Sequence, residues 1–169
     1  QALFMRRLQN NGKDAPAAHC KPNGPPTIDS VPLPYKIVQT PRLILILYEG
    51  DTVFRQIFLD GRQPVKDAEP RWMGYSTGKW DGDTLVVQTA GFRDDLWIDM
   101  SGSPMSDAAK VTERIRRPNY GTLELEITID DPKVYTRPWT VKMTQSIELD
   151  TELMDEFCLE NEKSYLRLQ

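Results

Sequence analysis

The stretch from Gly74 to Phe92, GYSTGKWDGDTLVVQTAGF, constrains the fold most, because it contains a β-hairpin together with its turn. Asp81-Gly82 fits a two-residue type I′ turn, in which both residues have positive φ. That turn predicts that Trp80 pairs with Asp83 and Gly78 with Leu85. One face of the hairpin then carries two glycines, which predicts a shallow trough or a close approach by another group.

Two further stretches have the hairpin pattern. Leu43–Glu49 and Thr52–Leu59 flank a predicted turn at Gly50-Asp51, in a register that pairs Ile46 with Arg55. A third hairpin consists of Lys110–Arg117 and Thr122–Asp130, and its second strand alternates between apolar and polar residues.

A further strand is predicted at Trp139–Leu149, which brings the total to about seven to nine. Hairpin-connected strands at this spacing are typical of barrels and sandwiches. We therefore expect an all-β fold, an antiparallel up-and-down barrel of the lipocalin or calycin kind, with a sandwich as the alternative.

The chain is divided by composition into an arm and one domain. Residues 1–34 are dense in Pro, Gly and Asn, and are predicted to form an extended arm packed on the barrel. Residues 35–169 are predicted to be a single barrel domain. Short helices are expected at the two ends, around residues 2–10 and Thr151–Glu156, with a strand through Phe157-Cys158 as the alternative at the second.

Charge and hydropathy exclude two classes of partner. The formal net charge is -4 and the basic residues are dispersed, which argues against a general nucleic-acid binder. No apolar run approaches the roughly 20 residues of a membrane span. The expected partner is a small-molecule ligand, and the oligomeric state is left open, with a dimer as one option.

The two cysteines lie near opposite ends of the chain, at Cys20 and Cys158. They form no CxxC pair, so a local metal site is not indicated. A disulfide between them is the preferred interpretation, and two buried free thiols in a cytosolic protein are the alternative.

Several catalytic classes are excluded by the residues present. The only histidine is His19, and no GxSxG, GxGxxG or Walker motif occurs, so triad, zinc and nucleotide chemistry by those routes are not expected. No cofactor and no metal are predicted. The DGDT segment at Asp81 is interpreted as turn rather than calcium loop.

Glu113 and Arg55 are the sharpest candidates for chemistry. By strand alternation, each shares a face with apolar residues, and a buried charge is costly unless it is paired. The two would be partners inside the barrel, either as a structural ion pair or as a catalytic carboxylate with an oxyanion-stabilising arginine.

Aromatic and basic side chains form the candidate ligand site. Arg114, with Asp60 and Arg62, is a candidate for a polar rim, and Trp97 stands out because it lies in a long polar loop, Arg93–Ala109. Flat aromatic rings suit apolar or aromatic ligands, although most such rings are core residues. The candidates are Trp72, Tyr75, Trp80, Trp97, Tyr135 and Trp139.

The chain also resembles a known family. The stretches RQIFLDGRQP, GYSTGKWDGDTLVVQTAGF, VTERIRRPNYGTLELEITIDDPKVYTRPWT and FCLENEK are similar to uncharacterised secreted bacterial β-barrel proteins of the acidobacterial type, with the motif GYSxGxWxGDTLVVxT. The resemblance runs from about Tyr48 to Lys163. It implies a secreted or periplasmic location, which supports the disulfide, and says little about chemistry.

The chain departs from that family at two places. It has Met105 between Pro104 and Ser106, and Ser164-Tyr165-Leu166 after FCLENEK, where the resemblance leads us to expect a histidine. If those histidines bind a metal or transfer a proton in relatives, this protein lacks that step.

Three functional hypotheses follow. The first is a secreted barrel that binds a small apolar or aromatic ligand in its interior. The second is a cofactor-free lyase, isomerase or hydrolase that uses Glu113 and Arg55. The third is a structural or interaction module of the cell envelope.

Overall fold

Strands dominate the part of the chain that the computed structural model describes, residues 1–64 and 69–158. Two short helices, α1 (Ala2–Gln9) and α2 (Thr27–Ser30), and two 3₁₀ turns, Pro16–His19 and Gly50–Thr52, accompany them. The strands are β1 (Tyr35–Gln39), β2 (Leu43–Tyr48), β3 (Phe54–Phe58), β4 (Tyr75–Asp81), β5 (Thr84–Ala90), β6 (Leu96–Trp97), β7 (Pro104–Met105), β8 (Lys110–Asn119), β9 (Thr122–Asp130) and β10 (Trp139–Ser146).

Eight of these strands form one sheet in the order β1-β2-β3-β4-β5-β8-β9-β10, while β6 and β7 pair separately. The all-β prediction is confirmed. The uniformly antiparallel prediction is wrong at one junction, because β3 and β4 pair in parallel at Ile57 with Ser76 and Phe58 with Thr77. The connection between them therefore crosses to the other end of the sheet instead of turning back as a hairpin.

The sheet curls into a half-barrel. Its edge strands, β1 and β10, share no ladder within the described residues. Tyr35 on β1 donates its hydroxyl to Gln145 Oε1 on β10, and Gln145 Nε2 donates to the carbonyl oxygen of Asp29 at 2.9 Å. Side chains and helix α2, rather than backbone pairing, thus connect the two edges.

The core lies on the concave face of the curled sheet. Alternate residues of each central strand point inward, as the period of 2 predicted. Arg55 and Glu113 are among them, each 1% exposed. The buried apolar side chains from the central strands are Ile44, Ile46, Tyr48, Ile57, Leu85, Val87, Val111, Ile115, Leu125, Ile127 and Ile129.

The predicted hairpin registers hold for the first hairpin and shift in the central one. Ile46 pairs with Arg55 as expected. In the central hairpin Trp80 pairs with Leu85 rather than Asp83, because the two-residue turn is Gly82-Asp83, with Gly82 at φ +62°. A shift of two residues preserves the face that each side chain points to.

The predicted trough beside Gly78 is filled. A Cβ added at this glycine would lie 2.9 Å from Ile57 Cγ2 and 3.0 Å from Leu59 Cδ2. The absent side chain therefore makes room for β3 to pack on β4, and no open groove remains there.

Two segments far apart in the sequence, around Cys20 and Cys158, meet beside the turn between β2 and β3. Cys20 and Cys158 form a disulfide with Cα atoms 5.5 Å apart, which confirms the preferred interpretation. A helix is present at the N-terminus, but the predicted helix at Thr151–Glu156 is wrong, since those residues have no regular structure. They are held instead by contacts to the turn, among them Glu156 Oε2, which accepts from Asp51 N at 2.6 Å.

Candidate functional site

The sheet brings Arg55 and Glu113 together in the core. Arg55 Nη1 donates to Glu113 Oε1 at 2.9 Å, and Nη2 donates to Oε2. Burial by itself lowers the pKa of Arg55, but the Glu113 carboxylate, with further contributions from Tyr48 and Asp29, more than reverses this, so the pKa is raised and the guanidinium stays charged. The pairing predicted from alternation is therefore observed.

Two hydroxyls complete the coordination of Arg55. Arg55 Nε donates to Ser76 Oγ at 3.1 Å and Nη2 to Thr89 Oγ1 at 2.8 Å. The two hydroxyls lie 2.9 Å apart and share a hydrogen bond. A buried charge with its hydrogen bonds satisfied is held in one orientation. The group is thus rigid and closed to solvent.

A second carboxylate, Asp29 of helix α2, lies against this pair and was missed by the sequence analysis. Asp29 Oδ2 is 3.8 Å from Arg55 Nη1, beyond hydrogen-bonding distance, and the carboxyl is 5% exposed. Tyr48 donates its hydroxyl to Asp29 Oδ1 at 2.7 Å. Asp29 Oδ2 has no hydrogen-bond donor among the described residues. Two carboxylates therefore face one guanidinium.

That crowding changes the titration of the group. Burial, with a further contribution from Glu113, raises the pKa of Asp29 to about 6, although Arg55 and Tyr48 oppose the shift. Burial also raises the pKa of Tyr48 well above its ordinary value, and the neighbouring Asp29 raises it further. The segment TIDS around Asp29 has no strand periodicity, so the only available signal was an acid inside the Pro-rich stretch of residues 25–34.

The predicted ligand-binding residues do not converge on the interior. Trp80 is 50% exposed near the turn of the central hairpin, and Arg114 points to the outer face, where it pairs with Asp81 at 3.0 Å. Tyr135 and Trp139 pack on each other with ring centroids 5.7 Å apart, and Tyr135 donates to the carbonyl oxygen of Pro104 at 3.0 Å. These four are separate from the Arg55 group.

Trp97 is buried rather than displayed by its loop. It is 4% exposed, and the Arg7 guanidinium lies 4.8 Å from its ring centroid. It lines a polar cleft of about 390 Å³, whose other lining residues are Arg6, Arg7, Asp14, Pro16, His19, Lys21 and Asp95. The loop prediction is wrong for this residue, because β6 pairs with β7 and places Trp97 against the arm.

An aromatic cleft opens where β3 and β4 separate. Their parallel ladder covers only Ile57 and Phe58, so the strands diverge beyond it. The cleft has a volume of about 300 Å³. Its lining residues are Pro22, Thr52, Val53, Phe54, Gln56, Phe58, Arg71, Trp72, Met73, Gly74, Tyr75 and Ser76.

Tyr75 is one of two predicted ligand-binding residues that line this cleft. Its ring stacks on Phe58 with centroids 5.3 Å apart and an interplanar angle of 27°. Ser76 connects the cleft to the core, since its hydroxyl accepts from Arg55. The cleft could not be predicted from the sequence, because it arises from the parallel junction. Trp72, the other candidate from the sequence, also lines the cleft.

The described residues contain neither a metal-binding cluster nor a membrane-spanning helix. No group of three or more His, Cys, Asp or Glu side chains in residues 1–64 and 69–158 is placed to hold a metal ion. None of the helices described there is both long enough and apolar enough to cross a membrane.

The disulfide is a feature typical of proteins from oxidising compartments. Comparison of the chain with protein-family models, with curated proteins and with solved structures finds no match.

Proposed function

We propose that this chain is an extracytoplasmic β protein that binds a small apolar or aromatic molecule in the β3–β4 cleft. The observation that carries the proposal is a cleft of about 300 Å³ lined by the rings of Phe54, Phe58, Trp72 and Tyr75. Small-molecule sites are typically concave and mostly apolar, with a few polar groups that orient the ligand. Gln56 and Thr52, both exposed, supply such groups here.

The proposal keeps the ligand class expected from the sequence and changes its position. The concave side of the sheet is packed with core side chains and with the Arg55–Glu113 pair. The cleft instead opens beside the outer face of β3, where Phe54 is 60% exposed. A ligand there would contact rings without displacing any part of the core.

The proposal also includes a lipocalin-like barrel fold and a location outside the cytoplasm. An eight-stranded curled sheet supports a lipocalin-like barrel, whereas the parallel β3–β4 pair departs from one. The disulfide supports export. The resemblance to the acidobacterial-type family stays a prediction on the quoted motifs.

An enzyme built on Glu113 and Arg55 receives less support. Both side chains are 1% exposed, and the guanidinium is already bonded to Glu113, Ser76 and Thr89. A general base must reach the proton that it removes. In this arrangement the two residues act as a structural unit behind the wall of the cleft.

Methyl NMR of methionine tests the cleft directly. Protein labelled with ¹³C-methyl methionine would be titrated with one- and two-ring aromatic compounds, beginning with 2-naphthamide. Met73 lines the cleft, and its resonance, assigned from Met73→Leu, is expected to shift in a saturable way. Met154, which is 71% exposed elsewhere, is the internal control and should not shift.

A variant pair locates the binding. Tyr75→Ala removes one ring from the cleft and is expected to weaken binding by about 2- to 10-fold. Tyr120→Ala removes a ring that is 70% exposed at a distant turn and should have no effect. If no aromatic compound shifts Met73 at millimolar concentration, the proposed function is wrong.

A further inference from the structure

Cations border the β3–β4 cleft beside Phe58 and Trp72, although the chain as a whole has a net charge of -4. The Arg62 guanidinium lies 3.9 Å from the ring centroid of Phe58. The cationic groups of Arg93 and Lys21 lie 4.7 Å and 5.9 Å from that of Trp72. Both rings line the cleft, so three cations border its apolar walls.

Neighbouring carboxylates form ion pairs with three of the cations around the cleft, but none of those described pairs with Arg71. Arg62 pairs with Asp60, while Lys21 and Arg93 both pair with Asp95, at 3.3 Å and 3.4 Å. Arg71 lines the cleft, is exposed, and has no ion pair with any carboxylate of the described residues. Among these groups, four cations therefore face two carboxylates.

The backbone of β3 adds donors at the same place. Val53 O accepts from Tyr48 N and Leu59 N donates to Arg42 O, each at 2.9 Å, so the odd-numbered residues direct their peptide groups towards β2. Alternation then directs the peptide groups of Phe54 and Gln56 to the opposite side. The ladder with β4 begins only at Ile57, so these groups border the cleft.

We propose that the ligand of this cleft is an aromatic carboxylate. Its ring would lie against Phe58, Trp72 and Tyr75, and its carboxylate would accept from the Arg71 guanidinium and from a β3 peptide N–H. Aromatic walls reward a planar ring, and a guanidinium with a free N–H group donates well to a carboxylate. This inference rests on the proposed function, because it specifies the ligand of the same cleft.

Matched probes separate the charge from the ring. 2-Naphthoate and 2-naphthamide have the same ring system and nearly the same shape, but only the first is anionic. We expect the wild type to bind 2-naphthoate at least about tenfold more tightly, by calorimetry and by the Met73 resonance. Raising the NaCl concentration should weaken binding of the anion only. Acetate, which lacks the ring, should not bind measurably.

Variants of Arg71 test whether this residue causes the preference for 2-naphthoate over 2-naphthamide. Arg71→Gln should abolish the tenfold difference between the two probes, and Arg71→Lys should retain part of it. Arg114→Gln is the control, because Arg114 pairs with Asp81 and lines no part of the cleft. It should leave both affinities unchanged.

The outcomes distinguish this inference from the function on which it rests. Equal affinity of the wild type for the two naphthyl probes overturns the carboxylate assignment and leaves an aromatic site. A preference that survives Arg71→Gln overturns the role of Arg71. If neither probe binds and Met73 does not shift, the proposed function fails and the carboxylate assignment fails with it.

Discussion

Arg55 Nη1 and Glu113 Oε1 lie 2.9 Å apart in the core, although 58 positions separate the two residues in sequence. The strand register brings the two residues together, because both side chains point to the concave face of the same sheet. Their partner hydroxyls, Ser76 and Thr89, come from the two strands between them. The group thus joins four strands through one guanidinium.

Replacing the acid of this group should be strongly destabilising. Glu113→Gln leaves the Arg55 charge buried without its carboxylate, so the free energy of unfolding should fall by about 3–5 kcal/mol. Urea denaturation at pH 7 measures this. Glu126→Gln is the control, since Glu126 pairs with Lys142 on the surface and its replacement should change the stability far less. A Glu113→Gln protein as stable as the control would contradict a buried ion pair.

Asp29 should make stability depend on pH between about 4 and 6. Its pKa is raised from 3.8 to about 6 in the folded state, so the folded protein binds the proton more tightly than the unfolded chain. Stability from this group is present below about pH 4 and is lost as the pH rises towards 6, by about 3 kcal/mol. The charged and titratable groups facing it are Arg55, Glu113, Tyr48 and Tyr35.

The comparison with Asp29→Asn isolates that effect. The variant cannot titrate at this position, so its stability relative to the wild type should increase between pH 4 and pH 6.5. Urea unfolding of both proteins across this range gives the difference, in which the other titrating groups cancel. A difference that stays constant with pH would show that the pKa of Asp29 is not raised.

The disulfide should contribute a large part of the stability. The bond joins residues 138 positions apart, and in the chain-entropy model closure of so long a loop stabilises the fold by about 4–5 kcal/mol. Cys20→Ser combined with Cys158→Ser should lower the free energy of unfolding by this order. Wild-type protein treated with a reductant should match the double variant, and a loss below about 1 kcal/mol would contradict the estimate.

Adding a methyl group at Gly78 should destabilise the β3–β4 junction. The new Cβ would lie 2.9 Å from Ile57 Cγ2, so Gly78→Ala is expected to cost about 1–3 kcal/mol. Gly121→Ala is the matched control, because the nearest atoms to its added Cβ are 3.8 Å away. Thermal unfolding compares the two. If Gly78→Ala costs as much in an Ile57→Ala background, which lacks the Cγ2 atom, the clash is not the cause.

The features that could be predicted from the sequence are those that follow from the alternation of apolar and polar residues along a strand. Arg55 and Glu113 each share a strand face with apolar residues, so their burial and pairing could be inferred from local pattern. The same reasoning could not reach Asp29, because α2 is one turn of helix inside a Pro-rich arm and its contacts are all long-range. Local propensity carries no information on where such an arm packs.

The cleft was unpredictable for a topological reason. Its walls depend on β3 and β4 running parallel, and a strand pattern does not state the direction in which a neighbour runs. Trp97 was misplaced for a related reason. A two-residue pairing of β6 with β7 has no periodicity long enough to detect, yet it turns the ring inward.

The link between Cys20 and Cys158 also changes what a protease can do to this molecule. The chain between the two cysteines is a covalent ring. A single cut anywhere in that ring opens it without releasing a fragment, and the two pieces stay joined through sulfur. Only a second cut in the ring, or reduction, separates them, so one nick in an exposed connection leaves the assembled sheet as one molecule.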